Sequence, residues 1–205
     1  MVAPVPATEP ALALIEFSSI AVGVLAADAM VKKAPIARIV AGTTQPGKYL
    51  VMITGEVADV QESLAAGRET GSDCVLDIVF LARVHPAVVA AIGGERNVGP
   101  GEALGIVETR QVASTIQAAD AGVKGAQVTL REIRLADGLC GKAFCFFQGP
   151  VADVEAAVEI GVGALADASQ LVRQVVISQL HEEMARNLER TTYFGSLAGR
   201  ERGEA

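Results

Sequence analysis

The sequence is poor in several residue types that particular classes of protein require. It has no Trp, and aromatic residues make up only 4% of its 205 residues. Its three cysteines, Cys74, Cys140 and Cys145, are an odd number for a set of structural disulfides, so free thiols are predicted. Lys and Arg number 17 against 24 acidic residues, and the net charge of -7 argues against binding to nucleic acid or to an anionic membrane surface.

Long apolar runs are also missing. No stretch approaches the roughly 20 apolar residues that cross a bilayer, and residues 1–10 lack the basic segment and apolar run of a secretory signal. We interpret residues 1–10 as a flexible N-terminal tail and expect a cytoplasmic protein. The apolar share is nevertheless 51%, mostly Ala, Val, Ile and Leu, which is enough for a closely packed core.

The chain contains two copies of one sequence pattern. "ALALIEF" at 11–17 returns as "ALGIVET" at 103–109, and "AADAMVKKA" at 26–34 returns as "AADAGVKGA" at 118–126. Further on, "GKYLVMITGEVADV" matches "GKAFCFFQGPVADV", and the two histidines occupy equivalent places. Repetition at this length predicts two similar domains. We place them at 11–92 and 103–190, joined by a Gly-rich linker at 93–102 and followed by a C-terminal tail at 191–205.

Each copy has the pattern of strand, helix, strand, strand, helix, strand, helix. In the first copy, Ser18 or Ser19 can cap a helix that continues to about Ala34, where Pro35 ends it. Two β-branched runs then flank a Gly/Pro turn, as in adjacent antiparallel strands. The fold class is therefore predicted to be α+β, an antiparallel-rich sheet with helices on it, in duplicate. Helices 21–31 and 113–123 are nearly all apolar, so we expect them to be buried on two sides, within and between subunits.

The turn in "AGTTQPGKYL", residues 41–50, resembles a phosphate-binding P-loop. Gly42 to Lys48 has the G-x-x-x-x-G-K spacing, but Tyr49 replaces the Ser/Thr that would bind Mg²⁺. A P-loop also opens a helix, whereas "YLVMIT" predicts a strand whose amides join a sheet. A nucleotide site is therefore disfavoured.

No catalytic residue, cofactor or metal site is predicted, and we expect a protein that is not an enzyme. The G-x-S-x-G pattern is absent, and neither His85 nor His181 has a Ser or Cys nucleophile nearby in sequence. Both histidines stand at helix starts, where a capping or contact role is favoured. Glu16 and Glu108 end the first strand of each copy; a paired-carboxylate site is conceivable, but a hydrogen-bonded structural role is the preferred interpretation.

The repeated motifs "ALGIVE", "AADAGVKGA", the Gly-Lys turn and "VADVE" resemble the bacterial microcompartment (BMC) shell domain, here in tandem. The resemblance implies two ferredoxin-like, permuted βαββαβ-type domains per chain. It also implies a homotrimer that forms a pseudohexameric facet tile with a central pore, in lateral contact with other shell proteins. The chain is similar in particular to the tandem-domain iron–sulfur shell proteins of propanediol-utilisation microcompartments.

The resemblance implies that the loop between the second and third strands of each copy lines the pore. We name residues 44–48 the first loop and residues 137–142 the second loop. The implied pore-lining residues are Thr44, Gln45, Pro46, Gly47, Lys48, Asp137, Gly138, Leu139, Cys140, Gly141 and Lys142. Lys48 and Lys142 would make the pore positive, partly offset by Asp137, so passage of small anionic or polar metabolites is expected.

The iron–sulfur cluster of those relatives is not expected here. They have C-P-G-K in the first loop, whereas this chain has Gln45 before Pro46, and an amide cannot supply the thiolate that a cluster needs. Cys140 in the second loop could still place three thiols about a threefold axis, although a small residue in a tight turn is the simpler interpretation.

The resemblance also implies which residues lie at the edge of the tile. They are Lys32 and Lys124 of the "ADAMVKAA"-like motif, Arg83 and His85 of the R-x-H motif, and His181. The second copy has Gln179 in place of the arginine. For the lysines, a solvated helix end is the alternative.

Two other functions remain open from the sequence. One is an electron or metal conduit at the threefold pore that uses Cys140. The other is a regulatory trimer of the same kind of fold that binds a ligand.

Overall fold

The computed structural model describes residues 11–193 as two consecutive βαββαβα units. The N-terminal tail 1–10, and the tail beyond Tyr193, lie outside the described residues. The first unit comprises β1 (Ala11–Phe17), α1 (Ile20–Lys33), β2 (Arg38–Thr44), β3 (Lys48–Gly55), α2 (Val57–Gly71), β4 (Val75–Leu81) and α3 (Pro86–Ile92). The second comprises β5 (Ala103–Thr109), α4 (Val112–Gly125), β6 (Thr129–Leu135), β7 (Ala143–Gly149), α5 (Val151–Gly163), β8 (Leu171–Ile177) and α6 (Glu182–Arg190). The predicted element order and α+β class are confirmed.

Each unit folds into one four-stranded antiparallel sheet. The strand order is β2-β3-β1-β4 in the first unit and β6-β7-β5-β8 in the second. The registers agree as well, because Glu16 of β1 is opposite Asp77 of β4, and Glu108 of β5 is opposite Arg173 of β8. β6 differs from β2 by a bulge between Leu130 and Glu132. The repeat seen in the sequence is thus a repeat of topology and pairing, with charge differences at single positions.

Local sequence signals explain where the first helix begins and ends. Ser19 is its N-cap, and the Ser19 hydroxyl accepts a hydrogen bond of 3.3 Å from the amide of Val22. Lys32 and Lys33 occupy its last turn, where cations suit the helix dipole. The extended residue Ala34 and Pro35 then end the helix, as predicted.

The two units share a hydrophobic core. One face of β1, with Ala13 and Ile15, packs under α1 and α2 in a core that belongs to the first unit alone. The other face, with Leu12 and Leu14, packs with α3 and with α4 of the second unit in a cluster that runs across both units. Because burying such apolar surface is the main driving force of folding, the two units are expected to unfold together.

The linker 93–102 lies against β6 of the second sheet. The amide of Asn97 donates to the carbonyl of Arg131 at 2.9 Å, and Arg96 forms an ion pair of 3.0 Å with Glu132. The start of the predicted tail is also held, since Arg134 Nη1 donates to the carbonyl of Thr192 at 2.8 Å. Among residues 11–193, no helix is long and apolar enough to span a bilayer.

Candidate functional site

The first and second loops lie side by side at the boundary between the two units. The Thr44 hydroxyl donates to Asp137 Oδ1 at 2.6 Å, and Lys48 Nζ donates to the carbonyl of Gly141 at 3.1 Å. Gly141 has φ +80°, and a Cβ there would come within 2.9 Å of Lys48 Cε. A glycine is therefore required at this contact, both by the backbone conformation and by the close approach of the first loop.

The exposed parts of the loops are those that could face a pore. Gln45, Gly47, Asp137, Cys140 and Lys142 are exposed. Pro46 and Gly138 are exposed too, Leu139 is half-buried, and Gly141 is buried against the first loop. The structure thus brings the predicted pore-lining residues into one contiguous surface, and their position at an axis stays a prediction. β3 begins at Lys48, so no helix follows the Gly-Lys turn, and the argument against a P-loop is confirmed.

Lys48 is largely removed from solvent. Its side chain is only 12% exposed, and its ammonium contacts Glu16 Oε2 at 3.3 Å. It also donates to the side-chain oxygen of Gln111 and to the Gly141 carbonyl. Lys48 therefore joins β1 of the first unit to the start of α4 and to the second loop, and much of its charge is neutralised within the chain.

Glu16 is the partner that explains this burial. Its carboxylate is fully buried, and Oε1 accepts a 2.8 Å hydrogen bond from the amide of Ala113 in the first turn of α4. Burial raises the pKa of the Glu16 carboxyl above its ordinary value, and Lys48 and the Ala113 amide offset part of that rise. The expected hydrogen-bonded structural role of Glu16 is confirmed, and the carboxylate caps a helix of the other unit.

Asp77 of β4 holds the same helix end. Its Oδ2 accepts from the amide of Ser114 at 3.0 Å and from the Ser114 hydroxyl at 2.5 Å. Further along α4, Asp120 Oδ1 accepts from the amide of His85 at 2.8 Å. Sequence reasoning missed Asp77 and Gln111; the signal for Asp77 was a single acid inside the apolar strand "VLDIVF".

The second unit carries the same groups without a helix over them. Lys142 Nζ lies 2.5 Å from Glu108 Oε1, so this pair is the counterpart of Lys48 and Glu16 in the first unit. Its side chains, however, are 48% and 31% exposed. Val175 of β8 is 42% exposed, whereas its counterpart Val79 of β4 is 2% exposed beneath α4. The surface that receives α4 on the first unit therefore has an uncovered counterpart on the second.

Helix α1, the counterpart of α4, is also uncovered. α4 buries apolar residues around most of its circumference, including Val112, Ala113 and Ile116. On α1, four large apolar side chains are exposed, namely Ile20 at 43%, Val24 at 50%, Leu25 at 58% and Val31 at 42%. The expectation of burial on two sides is thus met by α4 within the chain, while α1 buries one side only.

The predicted tile-edge lysines differ in their surroundings: Lys124 lies at the contact between the two units, and Lys32 lies on the exposed helix α1. Lys124 pairs with Asp120 and donates to the carbonyl of Arg83, so it joins the two units. Lys32 pairs with Asp28 in the same way on α1, at 2.5 Å, but remains 71% exposed. Contact of these residues with another tile stays a prediction.

Both histidines cap helices, as the sequence indicated. His85 Nδ1 accepts from the amide of Ala87 at 3.2 Å, and His181 Nδ1 accepts from the amide of Glu183 at 3.3 Å. Each residue is the N-cap of its helix, α3 and α6 respectively. The capping role is confirmed for both.

The three cysteines are free thiols, as predicted, and differ in exposure. Cys140 is exposed in the second loop, Cys74 is half-buried, and Cys145 is buried in β7. Burial raises the pKa of the Cys145 thiol to about 12, which makes it inert. Within residues 11–193, no group of three or more His, Cys, Asp or Glu side chains is arranged to hold a metal ion.

Comparison with known proteins assigns the fold and the repeated motifs to one family. The family model for the BMC domain matches residues 11–84 and again residues 103–180. The chain therefore belongs to the BMC domain family, with two copies of the domain in tandem.

Particular relatives support the same assignment over nearly the whole chain. Bacterial microcompartment shell protein PduT of Citrobacter freundii is 39% identical over 178 residues, which cover 87% of this chain and 97% of the relative. Carboxysome assembly protein CcmO of Synechocystis is 26% identical over 202 residues, which cover 91% of this chain and 67% of that protein. The tandem, PduT-like resemblance inferred from the motifs is confirmed.

Solved structures agree with this fold. The crystal structure of a microcompartments protein from Desulfitobacterium hafniense DCB superposes with a TM-score of 0.73 at 43% identity. The match covers 86% of this chain and 98% of that one. The fused permuted hexameric shell protein MSM0275 of the RMM microcompartment has a TM-score of 0.55 at 21% identity, covers 76% of this chain, and supports the fold alone.

Proposed function

We propose that this protein is a structural tile of a bacterial microcompartment shell in the cytoplasm. Three copies close head to tail into a pseudohexameric ring, and the first and second loops line its central pore. Two relatives that cover most of the chain, at 39% and 43% identity, are called a microcompartment shell protein and a microcompartments protein. The tile is not an enzyme, and other shell proteins border it laterally.

The main support for the ring is that two equivalent pairs of surfaces in one chain differ, because one pair is in contact and the other is exposed. α4 lies on β4 and α3 of the first unit, where its first turn meets Glu16 and Asp77. The equivalent helix α1 exposes four large apolar side chains, and the equivalent strand β8 exposes Val175 beside Arg173 and Gln174. A second copy that places its α1 on β8 of the first repeats the junction seen within the chain. Because this contact joins unlike surfaces, it repeats from copy to copy and gives a closed ring when the rotation closes. In the proposed ring of six units, three chains close it.

The apolar residues of α1 supply the expected stabilisation. Fully burying one such side chain is worth about 1.5–3 kcal/mol, so covering four that are about half exposed contributes about 4 kcal/mol per junction. Glu108 then meets the first turn of α1 of the neighbouring copy, as Glu16 meets α4. Arg173 replaces Asp77 at this junction, so the hydrogen bonds to the helix amides that Asp77 makes have no equivalent there.

The adjacency of the two loops supports the proposed pore. Since the first and second loops of one chain touch at Thr44–Asp137, three chains arrange six loops in sequence around the axis. Each copy contributes a lysine paired with a carboxylate, Lys48 with Glu16 and Lys142 with Glu108, and Lys142 is the more exposed of the two lysines. Small polar or anionic metabolites are the expected cargo.

Native mass spectrometry of matched variants tests the tile. Leu25 of α1 and Val98 of the linker are both 58% exposed, so Leu25→Glu and Val98→Glu add the same charge at apolar sites of equal exposure. The wild type and Val98→Glu are expected to be trimers, and Leu25→Glu a monomer. A monomeric wild type, or a trimer that survives Leu25→Glu, contradicts the proposal.

A further inference from the structure

A cavity of about 470 Å³ opens between the two units, beside the bases of both loops. Its volume lies in the range of small-molecule sites. Apolar side chains from both units form much of its lining, among them Leu14, Val40, Met52 and Ile133. The two loops contribute Thr44 and Asp137 to its wall, and the α4 junction contributes no residue to it.

The polar groups around the cavity include two arginines and two carboxylates. Arg96 is neutralised, because it pairs with Glu132 at 3.0 Å. Asp137 accepts a hydrogen bond from the Thr44 hydroxyl at 2.6 Å, which does not neutralise its charge. Arg134 is the cation that remains, since no ion pair joins it to a carboxylate in the described part of the chain.

Within residues 11–193, the partners of Arg134 are neutral groups. Its Nη1 donates to the carbonyl of Thr192 at 2.8 Å, and its guanidinium lies 3.5 Å from the ring centroid of Tyr193. Its Nε is buried without a hydrogen-bond acceptor. Planar guanidinium groups bind carboxylates in paired hydrogen bonds, and a cation beside an apolar space favours a ligand that combines an anionic head with an apolar body.

We propose that this cavity binds a small organic carboxylate, with its carboxylate at Arg134 and its apolar body against Val40 and Met52. The inference rests on the cavity and its charges, not on the shell function, so its test stands apart from that of the trimer. The ligand would also touch Thr44 and Asp137, the residues through which the two loops meet.

Gly42 offers a position from which a larger side chain can occupy the cavity. It lines the space from β2, and a Cβ at this position would meet no atom within 4 Å. Gly42→Phe therefore places a ring in the cavity on a strand that tolerates aromatic residues. Arg134→Gln removes the cation, and Arg186→Gln is its control, because Arg186 is 62% exposed on α6 and pairs with Glu182.

Isothermal titration of the full chain with 4-phenylbutyrate and with its neutral counterpart 4-phenylbutanol tests the proposal. We expect the acid to bind with a Kd of about 1 mM or tighter, a scale set by ligands of this size. The alcohol and the Arg134→Gln variant should each weaken binding by about tenfold or more, as loss of a charge-assisted hydrogen bond predicts. Gly42→Phe should abolish binding, and Arg186→Gln should leave it unchanged.

Three results would overturn the proposal. They are absence of binding by the wild type at tens of millimolar acid, equal affinity for acid and alcohol, and undiminished affinity in Gly42→Phe. Thermal melts establish that each variant is folded. If Arg134→Gln does not fold, the acid–alcohol comparison still tests the charge and Gly42→Phe still tests the location.

Discussion

Replacing Glu16 by alanine tests the junction between the two units most sharply, because Glu108 offers the same substitution at the equivalent but uncovered position. Glu16→Ala removes the acceptor of the Ala113 amide and the charge that pairs with Lys48. Glu108→Ala removes an exposed pair with Lys142. In a Leu25→Glu background, which is expected to keep the chain monomeric, both can be compared within one isolated chain.

The magnitudes follow from burial. Breaking a buried ion pair by removing one partner costs about 3–5 kcal/mol, and loss of a carboxylate at a helix N-terminus is included in that cost. In the variant, Lys48 keeps the Gln111 side chain and the Gly141 carbonyl as hydrogen-bond acceptors, so the lower end of this energy range applies. We expect Glu16→Ala to lower the free energy of unfolding by about 3 kcal/mol. Glu108→Ala should cost about 0–1 kcal/mol, as exposed pairs do.

Urea denaturation followed by circular dichroism measures both values. Losses of similar size in the two variants, or a loss under about 1 kcal/mol for Glu16→Ala, would refute the reasoning that a helix of the second unit is capped by the first. Without the Leu25→Glu change, Glu108→Ala should instead weaken the trimer, which native mass spectrometry at decreasing concentration can follow.

The remaining predictions concern protonation, thiol reactivity and the pore. Because burial raises the pKa of Glu16 above 4.5, the folded state holds the proton of this carboxyl more tightly than the unfolded state does. The stability of the wild type relative to Glu16→Gln should therefore fall as the pH rises from 4.5 through the folded pKa. Urea titrations that show no such trend would contradict the assignment. Iodoacetamide at pH 8 should alkylate Cys140 in the native protein and reach Cys145, with its pKa of about 12, only after unfolding, as peptide mass spectrometry can establish. Lys142→Glu should reduce the passage of small anions through assembled shells several-fold while Lys32→Glu does not, and equal fluxes would argue against Lys142 as a pore charge.

The element order and the boundaries of most helices and strands could be predicted because their signals are local. Ser19 and Pro35 delimit α1, and the β-branched runs on either side of the Gly/Pro turn identify β2 and β3. Duplication strengthened each prediction, since two sequences had to agree with one fold. α2 extends to Gly71, well beyond the apolar positions Val57, Val60 and Leu64 that share one of its faces.

The partners of individual side chains could not be predicted from the sequence. Lys48 and Lys142 occupy equivalent positions, yet Lys48 is 12% exposed and Lys142 is 48% exposed. The start of α4 covers Glu16 and Lys48, whereas no helix within the described chain covers Glu108 and Lys142 in the same way. Asp77 and Gln111 gain their roles only through packing between the units, which brings together residues 37 positions apart (Asp77 and Ser114) and 63 positions apart (Lys48 and Gln111). Contacts of this kind depend on how the copies dock, which a local pattern does not encode.

An electron cryomicroscopy reconstruction of the purified protein is the most direct test of the central claim. The account predicts a threefold ring in which α1 of each chain covers β8 of the next, with Gln45 and Cys140 from all three chains around the axial opening. A particle that lacks threefold symmetry, or one in which the two loops lie on the outer perimeter, would contradict it.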